Sequence, residues 1–151
     1  MRKLLITLII AMAVACQSDR EPIQRTYLGV TLGKTTMAEA KEALTGFDVG
    51  ATAVDGVQVL IVKEPSVFGV KFRAVGFWFG NGVPDSIGLI SDVQPFGTLL
   101  QTFTDRYGKP AQSVVYGCDT YTWCDDSTEV ELMHVAKADT LARLMIRNAG
   151  T

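Results

Sequence analysis

The sequence predicts an α+β domain, an antiparallel sheet packed by two short helices. Three observations carry that reading. Runs of β-branched and aromatic residues recur, as in VQVLIVK (57–63) and VKFRAVGFWF (70–79), with the composition of strands. Tight turns join them, most clearly Gly80-Asn81-Gly82, a hairpin signal. One segment instead carries a helical period: Phe96, Leu99, Leu100, Phe103 and Tyr107 form a single apolar stripe.

The elements follow in order. Residues 27–32 (YLGVTL) read as a short strand. Thr36 and Glu39 form a capping box, Met37, Ala40 and Leu44 share a helical face, and Thr45-Gly46 ends the helix. Residues 50–56 are small and loop-like, and 57–63 is a strand broken by Glu64-Pro65-Ser66. Residues 70–79, the Gly80-Asn81-Gly82 turn and 83–91 make a meander. Pro95 suits the first turn of the second helix, Gly108 its C′ position, and Pro110 stops continuation. Strands at 112–116, 121–124, 129–135 and 140–147 close the chain. The last alternates Ala142, Leu144 and Ile146 with Arg143, Met145 and Arg147, a half-buried strand. Asp125-Asp126-Ser127 and Lys137-Ala138-Asp139 are turns. A helix followed by strands occurs twice, the layout of a degenerate duplication, although the two units do not align residue by residue.

Composition bounds the function. The chain has 151 residues, 48% of them hydrophobic and 20% charged, which suits a folded domain and not a disordered one. A net charge of −2 offers no broad electrostatic grip on nucleic acid.

The N-terminus points to a compartment. Arg2 and Lys3 precede an apolar stretch over 4–14 interrupted only by Thr7. It is too short to span a bilayer and has the flanks of a signal peptide. Ala13-Val14-Ala15-Cys16 follows. This segment resembles the lipobox of bacterial lipoproteins, with Ala13 where Leu is commonest. The resemblance implies a signal peptide over 1–15, cleavage before Cys16 and acylation of that cysteine. It also implies a cell-envelope location with the membrane as partner; Gln17 leans toward the outer membrane, facing the periplasm. Losing Arg2 and Lys3 takes the net charge from −2 to −4. Residues 17–26 (QSDREPIQRT) then read as a flexible tether, which leaves residues 27–151 as a single domain.

Cys118 and Cys124 remain. An oxidising compartment and an even count favour a disulfide between them, across a tight turn near Tyr121. The alternatives are two thiols, or a metal site with His134 and the Asp125-Asp126 pair, for which ligands are few.

A catalytic kit is missing. Gly29 and Gly33 are separated by three residues where a phosphate-binding loop has four. The sole histidine, His134, has no nucleophile motif beside it. Asp125 and Asp126 are ordinary turn residues, not a glycosidase pair. No cofactor or metal is expected. Aromatics are the stronger candidates. Phe77, Trp78 and Phe79 are consecutive, so one sheet face must present an aromatic away from the other two. Tyr116, Tyr121 and Trp123 cluster about the cysteines. Either set is core or an exposed recognition patch; Trp78, Tyr121 and Trp123 are the candidate partner-binding residues.

The helix motifs GKTTMAEAKEAL (33–44) and FGTLLQTFTDRYGKP (96–110), with aromatic strands and an Asn-Gly hairpin between them, resemble the small SmpA/OmlA-type outer-membrane lipoproteins. They also resemble the related two-repeat fold of the β-lactamase inhibitory protein. The resemblance covers the layout of residues 29–147 and implies binding, scaffolding or inhibition, not catalysis. The expected function is a non-enzymatic, lipid-anchored envelope protein that binds another protein, as an assembly factor or inhibitor. The alternatives are a small-molecule or glycan-binding lipoprotein, and an envelope hydrolase centred on His134.

Overall fold

Residues 21–92, 96–135 and 141–149 are described by the structure, a computed structural model. Along the chain lie β1 (Thr26–Tyr27), β2 (Val30–Thr31), α1 (Met37–Ala43), β3 (Val49–Val54), β4 (Val57–Lys63), β5 (Ser66–Val67), β6 (Val70–Lys71), β7 (Ala74–Phe79) and β8 (Pro84–Asp92). Then come α2 (Phe96–Tyr107), β9 (Ala111–Val115), β10 (Cys118–Cys124), β11 (Thr128–Val135) and β12 (Leu141–Asn148).

Eight strands form one antiparallel sheet in the order β3-β4-β7-β8-β12-β11-β10-β9. The order is a repeated plan. Helix α1 precedes the four strands of one half, α2 precedes the four of the other, and the last strand of each half meets at the centre, β8 against β12 from Ser86↔Arg147 to Asp92↔Leu141. With twelve strands against two helices among the described residues, the class is mostly β with a large antiparallel sheet, a more accurate description than the expected α+β.

Both helices pack on the same sheet face. Ala40 and Leu44 of α1 and Leu99, Phe103 and Tyr107 of α2 join one buried cluster with Leu60, Val62, Val75, Phe77, Leu89, Leu132 and Leu144. Period-two alternation supplies the sheet side of that core, and the helical period supplies the lid. The capping box of α1 forms as expected: Thr36 Oγ1 accepts from Glu39 N, and Thr36 N donates to Glu39 Oε2 at 2.8 Å.

Several boundaries differ from expectation, mostly for one reason. Leu28-Gly29, Asp55-Gly56, Phe68-Gly69 and Tyr116-Gly117 have positive φ at both residues, as type I′ hairpin turns require. The first makes residues 27–32 a tiny hairpin, with Tyr27 opposite Val30. The second makes the small segment 50–56 the edge strand β3 and its turn. The third splits 70–79, because β6 folds back on β5 before Phe72 and Arg73 lead into β7. The fourth places at 116–117 the turn expected near Tyr121, so Tyr121 sits in mid-strand.

The expected tether is also shorter. Ile23 is buried, and its N–H donates to Asp125 Oδ2 at 2.7 Å. Gln24 N donates to the Tyr107 hydroxyl at 3.1 Å. Arg25 reaches Ser127 O and Thr128 Oγ1 with Nη1, and Leu32 O and Asn148 Oδ1 with Nη2. An apolar side chain and a four-acceptor arginine dock residues 23–25 onto the domain, where polarity alone suggested free chain. The signal segment 1–15, Cys16, Pro95 and the turn at 137–139 lie outside the described residues.

Candidate functional site

The sheet face opposite the helices carries the candidate site. On it, Trp78 is half-buried while its neighbours Phe77 and Phe79 point into the core. Strand alternation forces that split. The indole leans along its strand over Gly76 and Gly88, which are cross-strand partners. A Cβ built at Gly76 meets Trp78 Cη2 and Cζ3 at 2.7 Å, and one at Gly88 meets Cζ3 at 2.9 Å. The two glycines are therefore a floor made by absence of side chains. Val59, the register partner of Trp78, is 1% exposed, and Met145 Sδ lies 3.0 Å from the Gly88 Cβ position. Ile90, at 38% exposed, continues the apolar surface.

The same face changes character across β12. Arg147 Nε donates to Glu129 Oε1 at 2.8 Å, and its Nη2 reaches Glu131 Oε2 at 3.3 Å. Hydrogen bonding to Glu129 pushes the Arg147 guanidinium pKa up, against the opposing effect of desolvation. An apolar centre thus borders a polar, ion-paired rim, the anatomy of a protein interface. The buried residues of both described helices pack on the other side of the sheet.

The second aromatic group is divided. Trp123 is 3% exposed, and its Nε1–H donates to Gly108 O at 2.7 Å. Its ring sits 5.5 Å from that of Phe103. Trp123 is core, fixed by both its apolar body and its polar tip, and offers no surface for recognition. Tyr121 is half-buried and stands 5.7 Å from Phe96, beneath α2. Tyr116, the third of this group, is 99% exposed at the tip of the β9–β10 hairpin.

The expected Cys118–Cys124 disulfide does not form. Both residues belong to the single extended strand β10. Six steps at about 3.3 Å separate them by about 20 Å, whereas a bridge needs Cα atoms within about 7 Å. The chain reverses at Tyr116-Gly117, before both cysteines, and not between them.

His134 lies on the helix side, its ring 4.7 Å from Phe96. Among the described residues no group of three or more His, Cys, Asp or Glu is placed to hold a metal ion. No helix of the described residues is long and apolar enough to cross a membrane.

Asp125, expected as an ordinary turn residue, ties the turn to the N-terminal segment. Its Oδ1 accepts from Ser127 N at 2.9 Å and Thr128 N at 2.7 Å, while Oδ2 accepts from Ile23 N. Burial pushes its carboxyl pKa up, but the backbone donors Ser127, Ile23 and Thr128 outweigh burial and hold it below the ordinary value. The glycine floor was also missed, although isolated glycines inside strand patterns are the signal for close approach. No protein family, curated protein or solved structure matches this chain.

Proposed function

We propose that this is a non-enzymatic, lipid-anchored protein of the cell envelope that binds another protein through the open sheet face around Trp78. The carrying observation is that face itself. A large aromatic lies flat on two glycines beside Ile90 and Met145 and next to buried Val59, with an Arg147–Glu129–Glu131 rim. Large aromatics and arginine are the residue types that anchor protein interfaces. The anchor rests on the lipobox-like Ala13-Val14-Ala15-Cys16. If Cys16 carries lipid, seven residue steps to the docked Ile23 hold the domain within about 25 Å of the membrane surface. The resemblance of the helix motifs to the SmpA/OmlA-type lipoproteins and the inhibitory protein enters only as an analogy of layout, which does not by itself set function.

The experiment is in-cell crosslinking of the full chain, with intact mass measured on the same preparation. The expected result is acylated protein beginning at Cys16, joined to one saturable protein partner. Trp78→Ala and Ile90→Glu abolish the crosslink, and Tyr121→Phe, beneath α2, keeps it. Capture that is indifferent to Trp78 and Ile90 overturns the face; an unmodified N-terminus at Met1 overturns the anchor.

A further inference from the structure

We propose that β3 and the flank of α1 form a second docking site, which takes an extended, carboxylate-bearing segment of another protein as a ninth strand of the sheet. Strand β3 ends the sheet, with β4 on one side only. Its outer backbone groups need hydrogen-bond partners, which water supplies until a strand arrives. The devices that blunt such edges are missing from it. VGATAV contains no charge and no proline, and its register with β4 runs unbroken from Val49↔Val62 to Val54↔Val57. Residues 51–54 are all exposed.

An edge alone does not choose an occupant, but a groove lies beside this one. About 240 Å³ opens between α1 and the sheet, lined by Met37, Lys41, Ala51, Ala53, Gln58 and Leu60. The other edge strand, β9, contributes nothing to it. Ala51 and Ala53 alternate onto the helix side, as their register partners Leu60 and Gln58 do. A strand hydrogen-bonded to β3 sets every second side chain on that side, next to α1. Main-chain bonds then supply affinity and the groove supplies selectivity, which is the logic of β-augmentation.

Charge selects the chemistry. Lys41 is exposed, and among the described residues it makes no ion pair or side-chain hydrogen bond, whereas Lys63 and Lys71 pair with Asp48 and Glu64. The groove therefore presents one uncompensated cation on a mixed lining, in which Thr52 and Gln58 are neutral and polar, and an aspartate, glutamate or terminal carboxylate complements it. The backbone edge of this site is β3 and its side chains enter from the helix side, whereas Trp78 stands on the opposite face of the interior strand β7, so the site stands or falls separately from the open-face reading.

The test uses random heptapeptides displayed on phage and selected against the purified full chain. The expected winners alternate β-branched residues with one acidic residue. A synthetic winner protects β3 amides from hydrogen exchange. N-methylation of its amides at one parity abolishes binding and at the other leaves it intact. Lys41→Glu, on an exposed helix surface where the fold is safe, weakens binding by about fivefold. Ala53→Trp fills the groove and removes binding. No enrichment, winners without a carboxylate, affinity indifferent to Lys41→Glu, or protection on β9 in place of β3 each overturns the proposal. So does self-association of the chain through β3 in sedimentation, since the occupant is then a second copy.

Discussion

Gly88→Ala is the substitution that interrogates the open face most directly. The backbone of Gly88 has no positive φ, so alanine fits the conformation. The obstacle is space. The new methyl falls 2.9 Å from Trp78 Cζ3, and 3.0 Å from both Trp78 Cη2 and Met145 Sδ. Nonbonded carbon pairs sit best at about 3.5–4.0 Å, so each contact is too close by roughly half an ångström or more. Overpacking of this kind costs about 1–3 kcal/mol. Reduced freedom of the unfolded chain returns about 0.4–1 kcal/mol. The expected net destabilisation is about 1–2 kcal/mol, a fall of about 0.5–1 M in the urea midpoint at typical slopes. The indole yields by lifting from the sheet, so Trp78 emission shifts to the red. Subtracting the spectrum of a Trp78→Phe protein separates it from buried Trp123. Repeating Gly88→Ala in a Trp78→Ala background removes the clash with the ring, and the double-mutant cycle then shows about 1 kcal/mol or more of coupling. Additive effects, with coupling under about 0.3 kcal/mol, together with unchanged emission, would refute the account of a ring lying on a glycine floor.

Two further expectations concern the N-terminal segment and the cysteines. Asp125→Ala removes the acceptor for Ile23, Ser127 and Thr128 and costs about 2–3 kcal/mol in urea melts; proteolysis then cuts after Arg25, which the wild type resists. The carboxyl of Asp125 is held below its ordinary 3.8 in the folded state. The unfolded chain therefore binds the proton first, so this stabilisation is complete above about pH 4 and disappears as pH falls through the folded value. Asp125→Asn flattens the stability profile below pH 4 and leaves its slope near neutrality unchanged; an unaltered acid limb counts against the assignment. Reductant is expected to leave the melting temperature unchanged, as is Cys118→Ser, since the strand keeps Cys118 and Cys124 apart. A melting point that drops in reductant would overturn the β10 register.

Particular residues show how far local chemistry carries. The Thr36–Glu39 capping box and the stripe from Phe96 to Tyr107 act within one or two helical turns, and both helices form where those signals lie. Asn81 and its flanking glycines were legible as a hairpin, and β7 and β8 pair across them. Asp55-Gly56 carried a hairpin signal of equal kind that small residues on one side disguised. Leu28-Gly29, Phe68-Gly69 and Tyr116-Gly117 carried little, because leucine, phenylalanine and tyrosine disfavour positive φ and adopt it only when strand pairing on both sides repays the strain. That last turn decided the cysteines.

The candidate site divides along the same line. Strand alternation, a property of the backbone, already required Trp78 to face away from Phe77 and Phe79. Whether a helix covered that side depended on where α1 and α2 both landed, which is a matter of packing between segments far apart in the chain. Trp123 and Tyr121 look as exposed-prone in sequence as Trp78 does; Phe103, Phe96 and the Gly108 carbonyl, brought in by α2, make one of them core and half-bury the other. The glycine floor, the docking of Ile23 on Asp125 and the groove beside β3 likewise join residues tens of positions apart. Sequence by itself determined the helices, most strands and the lipobox-like N-terminus, because those depend on neighbours along the chain. The single sheet, its open face and its uncapped edge were decided by tertiary structure, because burial is a relation between distant segments that no local pattern encodes.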